Sequence, residues 1–331
     1  MTIIKRTAVS IIVLLAALLL ESCAYYRPAP IVKPALAYIV GHDDDRFSSH
    51  SPVFLIEESG KSYNLIGTPT AVPNEKGGER VYVDSASPTI YTLQQSFETG
   101  RGVYTNLFFR VHFEKSAFSL IPFNVSAGQN TGHIIVVTLN QRGEPLLYTT
   151  VHSCGCYLAF VPTSLLPDEA FPPGWSREEQ RVYGEKLPGI VRFPGGETAG
   201  YRAVILFRSG SHRVKGLRLE SAREIRERYL LKPAAMLPLG ALESLPVKGG
   251  STTSFFETGG PRKGYVKGSH KLWEKLFISW WAFDWRVGED KIFRPDGPTE
   301  TVFYTSMKFW DRKESDMEDF ANFLRYWGWG L

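Results

Sequence analysis

The chain has 331 residues, 43% of them apolar and 22% charged, enough for a sizeable core and too apolar for global disorder. Its 38 basic and 34 acidic residues leave a net charge of +4, too mild and too mixed to argue for nucleic acid as a partner. The 30 Gly, 21 Pro and 13% aromatics favour a loop-rich fold of many short strands and exclude a coiled coil, a collagen or a multi-span membrane protein.

The chain opens on an address. Lys5 and Arg6 precede an uncharged, mostly apolar run at 7–20, too short to span a bilayer and of the length of a signal core. It ends in Leu20-Glu21-Ser22-Cys23, with Leu at −3, a small residue at −1 and a cysteine to take the lipid. This tetrad resembles the lipobox of bacterial lipoproteins. The resemblance implies a signal peptide at 1–22, acylation (palmitate among the chains) at Cys23, and attachment to a membrane of the cell envelope. Two or more acyl chains make such anchoring stable. Ala24 stands where inner-membrane retention usually shows Asp, so the expected site is the outer membrane, facing the periplasm. Residues 23–36 then read as a lipidated tether.

Strand-like runs follow at 37–40, 53–56, 103–113, 134–139, 146–152, 157–161 and 203–207, rich in Val, Ile, Phe and Tyr and bounded by Gly, Pro, Asn and Ser. Gln141-Arg142-Gly143-Glu144 predicts a hairpin turn. Residues 37–245 form the expected β-rich core, and the proline-rich insertion at 162–188 reads as a lid or a covered edge. Ser176 with Glu179, Ser221 with Glu224 and Ser315 with Glu318 share the spacing of a capping box. The second pair opens a charged, solvated helix at 222–231.

A Gly/Ser/Thr-rich connection at 246–270 leads to a helical part at 271–331. In 272–287 the 3.6 spacing places Trp273, Leu276, Phe277, Trp280 and Asp284 on one face, with Lys271, Lys275, Ala282 and Arg286 opposite. A last helix at 316–327 aligns Met317, Phe320, Leu324 and Trp327. Two such apolar helices cannot stand alone in about 60 residues. The expected fold is therefore α+β: a predominantly antiparallel sheet domain with C-terminal helices packed on it. Asp284, amid apolar residues, is expected to be buried and partnered.

The chemistry concentrates at 149–157. Strand alternation puts His152, Cys154 and Cys156 on one face, and Gly155 allows a kink that would let both sulfurs converge. One imidazole and two thiols form a soft set suited to zinc or copper. His112 is the best candidate for a fourth ligand and His133 the next. His42 with Asp43, Asp44 and Asp45 makes a weaker, oxygen-rich candidate. The same residues also fit a labile disulfide between Cys154 and Cys156, two buried reduced thiols, or a thiol nucleophile beside His152 or His133. The tryptophans Trp273, Trp280, Trp281 and Trp285 suit core packing, a glycan platform or a surface for an envelope protein.

The sequence therefore predicts an envelope lipoprotein with a metal-binding or redox-active His-x-Cys-x-Cys site. A binding or assembly lipoprotein with a merely structural cluster, and a thiol-dependent envelope enzyme, are the alternatives.

Overall fold

The computed structural model describes residues 35–41, 45–75, 78–121, 123–247, 250–295 and 301–331. The signal, Cys23, most of the tether, and His42, Asp43 and Asp44 lie outside the described residues. Asp45 is described, and its carboxylate caps a short helix by accepting from Ser48 N.

Hairpin-forming strands run through the chain: β1 (Ala35–Val40), β2 (Val53–Ile56), β3 (Ile66–Pro73), β4 (Glu79–Asp84), β5 (Thr89–Thr99), β6 (Gly102–Ser116), β7 (Gly128–Leu139), β8 (Pro145–His152) and β9 (Ala159–Pro162). They continue as β10 (Glu179–Val182), β11 (Glu185–Pro188), β12 (Tyr201–Phe207), β13 (Val214–Ser221), β14 (Tyr229–Pro238), β15 (Leu245–Pro246) and β16 (Thr252–Thr253). The α-helices among the described residues are short: α1 (Arg46–His50), α2 (Ala222–Arg228), α3 (Leu272–Ala282) and α4 (Phe320–Tyr326).

The main sheet runs β13-β12-β2-β1-β14-β5-β6-β7-β8-β9, with β3 joined to β6 and β4 to β3. It curls into a nearly closed barrel. Apolar side chains from every wall meet inside, among them Tyr38, Phe54, Phe109, Phe113, Val137, Val161, Ile205 and Phe207. The proline-rich insertion supplies the hairpin β10-β11, which lies against β13 and sends Leu187 and Val182 into the interior, covering the open edge.

The sheet is mixed, which corrects the expectation of a predominantly antiparallel α+β domain. Strands hold 43% of the described residues and helices 18%. β14 runs parallel to both β1 and β5, and β12 runs parallel to β2. The expectation failed at β14. Pro233 and Pro238 disguise it, because proline argues against a central strand, and the capping-box helix before it stops at Arg228 instead of reaching residue 231. That helix is capped as its sequence predicts, with Ser221 and Glu224 satisfying each other's backbone donors. The other two Ser-x-x-Glu pairs open no helix. Glu179 starts β10, and the Ser315 hydroxyl instead takes up the Ser306 amide.

The C-terminal helices behave unlike each other. α4 packs on the outer face of β6–β8, where Phe320 meets Phe97 and Phe108, and Phe323 meets Phe160. α3 does the reverse of what its pattern predicts. It buries Glu274, Ser279 and Ala282, with Lys271 at its start, and leaves Leu276, Phe277 and Trp280 exposed. Asp284 lies beyond the helix, past a left-handed Phe283, where it is half-buried and accepts from Tyr304 Oη and Arg286 N.

Candidate functional site

The barrel has one end where β6 and β8 finish and β7 begins. Register fixes what meets there. His133 of β7 pairs with His152 of β8, and Val111 of β6 pairs with His133, so the two histidines share the inner face. Their rings lie 4.8 Å apart, His133 also meets Phe207 at 5.1 Å, and His212 stacks on Phe113 at 3.9 Å. Burial disfavours the imidazolium at all three: it pushes His133 and His212 down to about 3, and His152 well below its ordinary value.

His112 is one residue past Val111 and pairs with Gly132, so its ring stands on the opposite, outer face, against Phe255 and Tyr91. The alternation that makes it a neighbour of His152 in sequence pattern puts the sheet between them. Among the described residues no three His, Cys, Asp or Glu side chains are gathered as a metal-holding group.

β8 ends at His152, and the chain turns at once. Gly155 N donates to His152 O at 2.8 Å and His152 N to Cys156 O at 2.9 Å. Gly155 has φ +92°, and a Cβ there would run into the Tyr304 carbonyl oxygen. This turn separates the thiols from the imidazole. His152 faces the barrel interior, while Cys154 and Cys156 line a cavity of about 420 Å³ outside it. Its walls are mostly apolar: Tyr157, Tyr183, Phe277, Trp280, Trp281 and Tyr304, with Glu274 among them.

Both cysteines are free thiols, Cys154 buried and Cys156 half-buried. The Cys154 sulfur accepts a hydrogen bond from Cys156 N at 3.4 Å. The two ionisations depend on each other. The neighbouring Cys156 side chain, with help from Lys271, eases loss of the first proton from Cys154. The Cys154 side chain, burial and the resulting negative charge then push the Cys156 thiol well up.

Beneath the thiols lies a set of charges that the sequence pattern did not expose. Lys271 Nζ and Asp290 Oδ2 face each other at 3.2 Å, both side chains fully buried. Asp290 Oδ1 accepts from Ser153 Oγ and, at 3.0 Å, from Gly132 N. Burial alone would lower the Lys271 ammonium's pKa. The surrounding negative groups, Asp290 first and Cys154 next, hold it well above its usual value. Burial raises the Glu274 carboxyl, whose Oε2 has no hydrogen-bond partner. Lys291, also fully buried, donates to Cys154 O at 3.3 Å and sits over the Tyr304 ring at 3.6 Å. Lys271 and Glu274 are i and i+3 on a helix whose other face is apolar. The readable signal was this charged pair amid Leu and Trp; the sequence pattern placed Lys271 opposite the apolar face and singled out nothing at Glu274.

Comparison with family models, curated proteins and solved structures finds no match to this chain.

Proposed function

We propose that the protein is a lipid-anchored component of a bacterial envelope whose Cys154–Cys156 pair carries out thiol–disulfide chemistry. The observation that carries this reading is the pair of free thiols, Cys154 and Cys156, lining one mostly apolar cavity, with Cys156 N donating to Cys154 Sγ and the buried Lys271 ammonium acting on both. A thiolate on Cys154 has a donor in Cys156 and a counter-charge in Lys271. It can attack a disulfide presented in the cavity, forming a mixed disulfide and releasing one thiolate that takes up a proton. Cys156, on losing its proton, then attacks Cys154 Sγ. The second substrate thiol leaves, and Cys154 and Cys156 end as a disulfide. Two electrons pass from the dithiol to the substrate disulfide. Residue i to i+2 spacing makes that bond a small ring, which favours an oxidising potential over that of a structural staple.

Thiol counting on protein equilibrated in dithiol redox buffers tests the reading. A reversible two-electron transition lost in both Cys154→Ser and Cys156→Ser is expected. Two thiols that stay reduced across the whole range, or stoichiometric zinc or copper in the purified protein, would replace it with the structural or the metal reading. Loss of lipid labelling in Cys23→Ala tests the anchor separately.

A further inference from the structure

Helix α3 is inverted. Its charged and small residues Lys271, Glu274, Ser279 and Ala282 are buried, while Leu272, Leu276 and Trp280 stand 66, 59 and 70% exposed. Surface helices normally show the opposite arrangement. The apolar surface extends beyond the helix in both directions. On one side Phe118 stacks on Trp273 at 5.8 Å, with Leu120 and Ile121 exposed next to it. On the other side Phe283 meets Phe309 at 5.1 Å and Phe309 meets Trp310 at 4.8 Å, with Trp285 exposed nearby in sequence. So much exposed aromatic surface on one side of a chain marks a site that something covers.

Two further observations identify what covers it. The first is chemical. The exposed side chains are Trp, Phe and Leu, interspersed with the exposed cations Lys275, Lys308 and Lys313. Tryptophan and lysine beside aliphatic side chains suit the boundary between headgroups and acyl chains, where the ring body is apolar, its N–H is wet, and the ammonium meets lipid phosphate.

The second is topological. The described chain begins at Ala35, and this point lies at the aromatic end of the barrel. Leu36 pairs with Ile56, Ile56 pairs with Phe207, the following loop accepts at Gly210 O from Ala117 N, and Phe118 then reaches Trp273. The preceding segment carries the apolar run at 7–20 and Cys23, 12 residues before Ala35. That length of extended chain reaches at most about 40 Å. A membrane holding Cys23 or the apolar run would therefore lie within a tether's length of the barrel end that carries the exposed aromatics.

The geometry points to this face as a seat on the lipid bilayer: Leu272, Leu276, Trp280, Phe283, Trp285 and Trp310 enter the interfacial layer, and the barrel stands on the membrane. It rests on the anchoring reading for the position of the membrane and is independent of the thiol chemistry. Its consequence for the site is that the cavity, lined by Phe277, Trp280 and Trp281, opens toward the lipid.

Full-length protein reconstituted into phosphatidylethanolamine and phosphatidylglycerol vesicles carrying brominated acyl chains tests it. Bromine quenches tryptophan only at close range, so seating predicts a loss of emission relative to unbrominated vesicles. Most of that loss should disappear in Trp285→Ser/Trp310→Ser combined with Leu276→Lys, all exposed positions that leave the core intact. Co-flotation with the vesicles reports anchoring on its own. Flotation without quenching would overturn the seat and leave the anchor standing. Quenching indifferent to these substitutions, or a concentration-dependent dimer that hides the tryptophans from bromine, would also overturn it.

Discussion

Lys271 and Asp290 form an ion pair at 3.2 Å from which solvent is excluded on both sides. Each comes from the C-terminal part of the chain, yet Asp290 ties down β7 through Gly132 N and the post-β8 turn through Ser153 Oγ. The pair therefore joins the C-terminal segment to the barrel end that carries the thiols. Removing one partner leaves the other charge buried and alone, which costs about 3–5 kcal/mol. Lys271→Met and Asp290→Leu should each lower the free energy of unfolding, read from urea titration, by that amount, and the double substitution should recover much of the loss. Single variants within about 0.5 kcal/mol of wild type would show that the two charges are solvated and that the ends are joined by apolar packing alone.

Gly155 is required by the turn. Its left-handed φ of +92° and the closeness of the Tyr304 carbonyl leave no room for a side chain. Gly155→Ala should cost about 1–3 kcal/mol from the backbone alone, more once the Tyr304 backbone is displaced. Gly143 in the β7–β8 hairpin serves as a comparison, because it shares a positive φ but has open space around it. Gly143→Ala should therefore destabilise less than Gly155→Ala in the same unfolding assay. Equal losses would assign the whole effect to φ and none to Tyr304.

Much of the barrel was legible, and the failures have definite causes. Strands β6 to β9 pair in chain order and carry runs of Val, Ile and Phe, so local pattern finds them. β14 reads poorly because its partners β1 and β5 are distant in sequence and its prolines argue against a central strand. At the site, His133, only the second choice for a fourth ligand, is the histidine that pairs with His152, and extending the alternation of β8 through Cys154 and Cys156 ignores that the strand stops at His152. The same parity puts His112 on the wrong face for the site, against Phe255. α3 misleads for another reason. Periodicity reports that a helix has two unlike faces, and the inference that the apolar one turns inward holds only where water covers the other. Here a buried Lys271 and Glu274 occupy the inner face.

Acid should unfold this protein early. His133 and His212 are held down to about 3 by burial, and His112 and His152 are lowered well below the ordinary value by the same cause. The unfolded chain takes up protons at these positions near pH 6.5 while the fold does not. Stability is thus complete above about pH 6.5 and falls as pH drops toward 3, by about 1.4 kcal/mol per pH unit for each histidine. Glu274, Glu289 and Asp316, raised by burial, work in the opposite sense but are three carboxyls against five lowered imidazoles, His50 included. Urea midpoints should decline steeply between pH 7 and pH 5, and His133→Leu should flatten the slope by about one proton. A flat profile over that range would mean that the histidines titrate normally and that water reaches the barrel end.

The thiols give the sharpest test, because their geometry makes unequal predictions for two similar residues. Cys154 takes the first, easier ionisation, helped by the Cys156 side chain as a proton donor and by Lys271, while Cys156 bears the second, harder one. Alkylation of Cys154 in the Cys156→Ser variant should still begin below the pH typical of a free thiol, because a serine hydroxyl can replace the lost donor. In Cys156→Ala the donor is gone, and the onset should move to higher pH. Lys271→Met should move it the same way by removing the counter-charge. Cys156 in the Cys154→Ser variant, relieved of the Cys154 negative charge but still disfavoured by burial, should ionise later than Cys154 does in Cys156→Ser. The measurement is the pH dependence of the second-order alkylation rate, with each variant's fold checked by its urea midpoint. Identical profiles for Cys154 and Cys156, unmoved by Lys271→Met, would show two ordinary thiols that share a turn and nothing more, and the dithiol chemistry would then have no physical basis at this site.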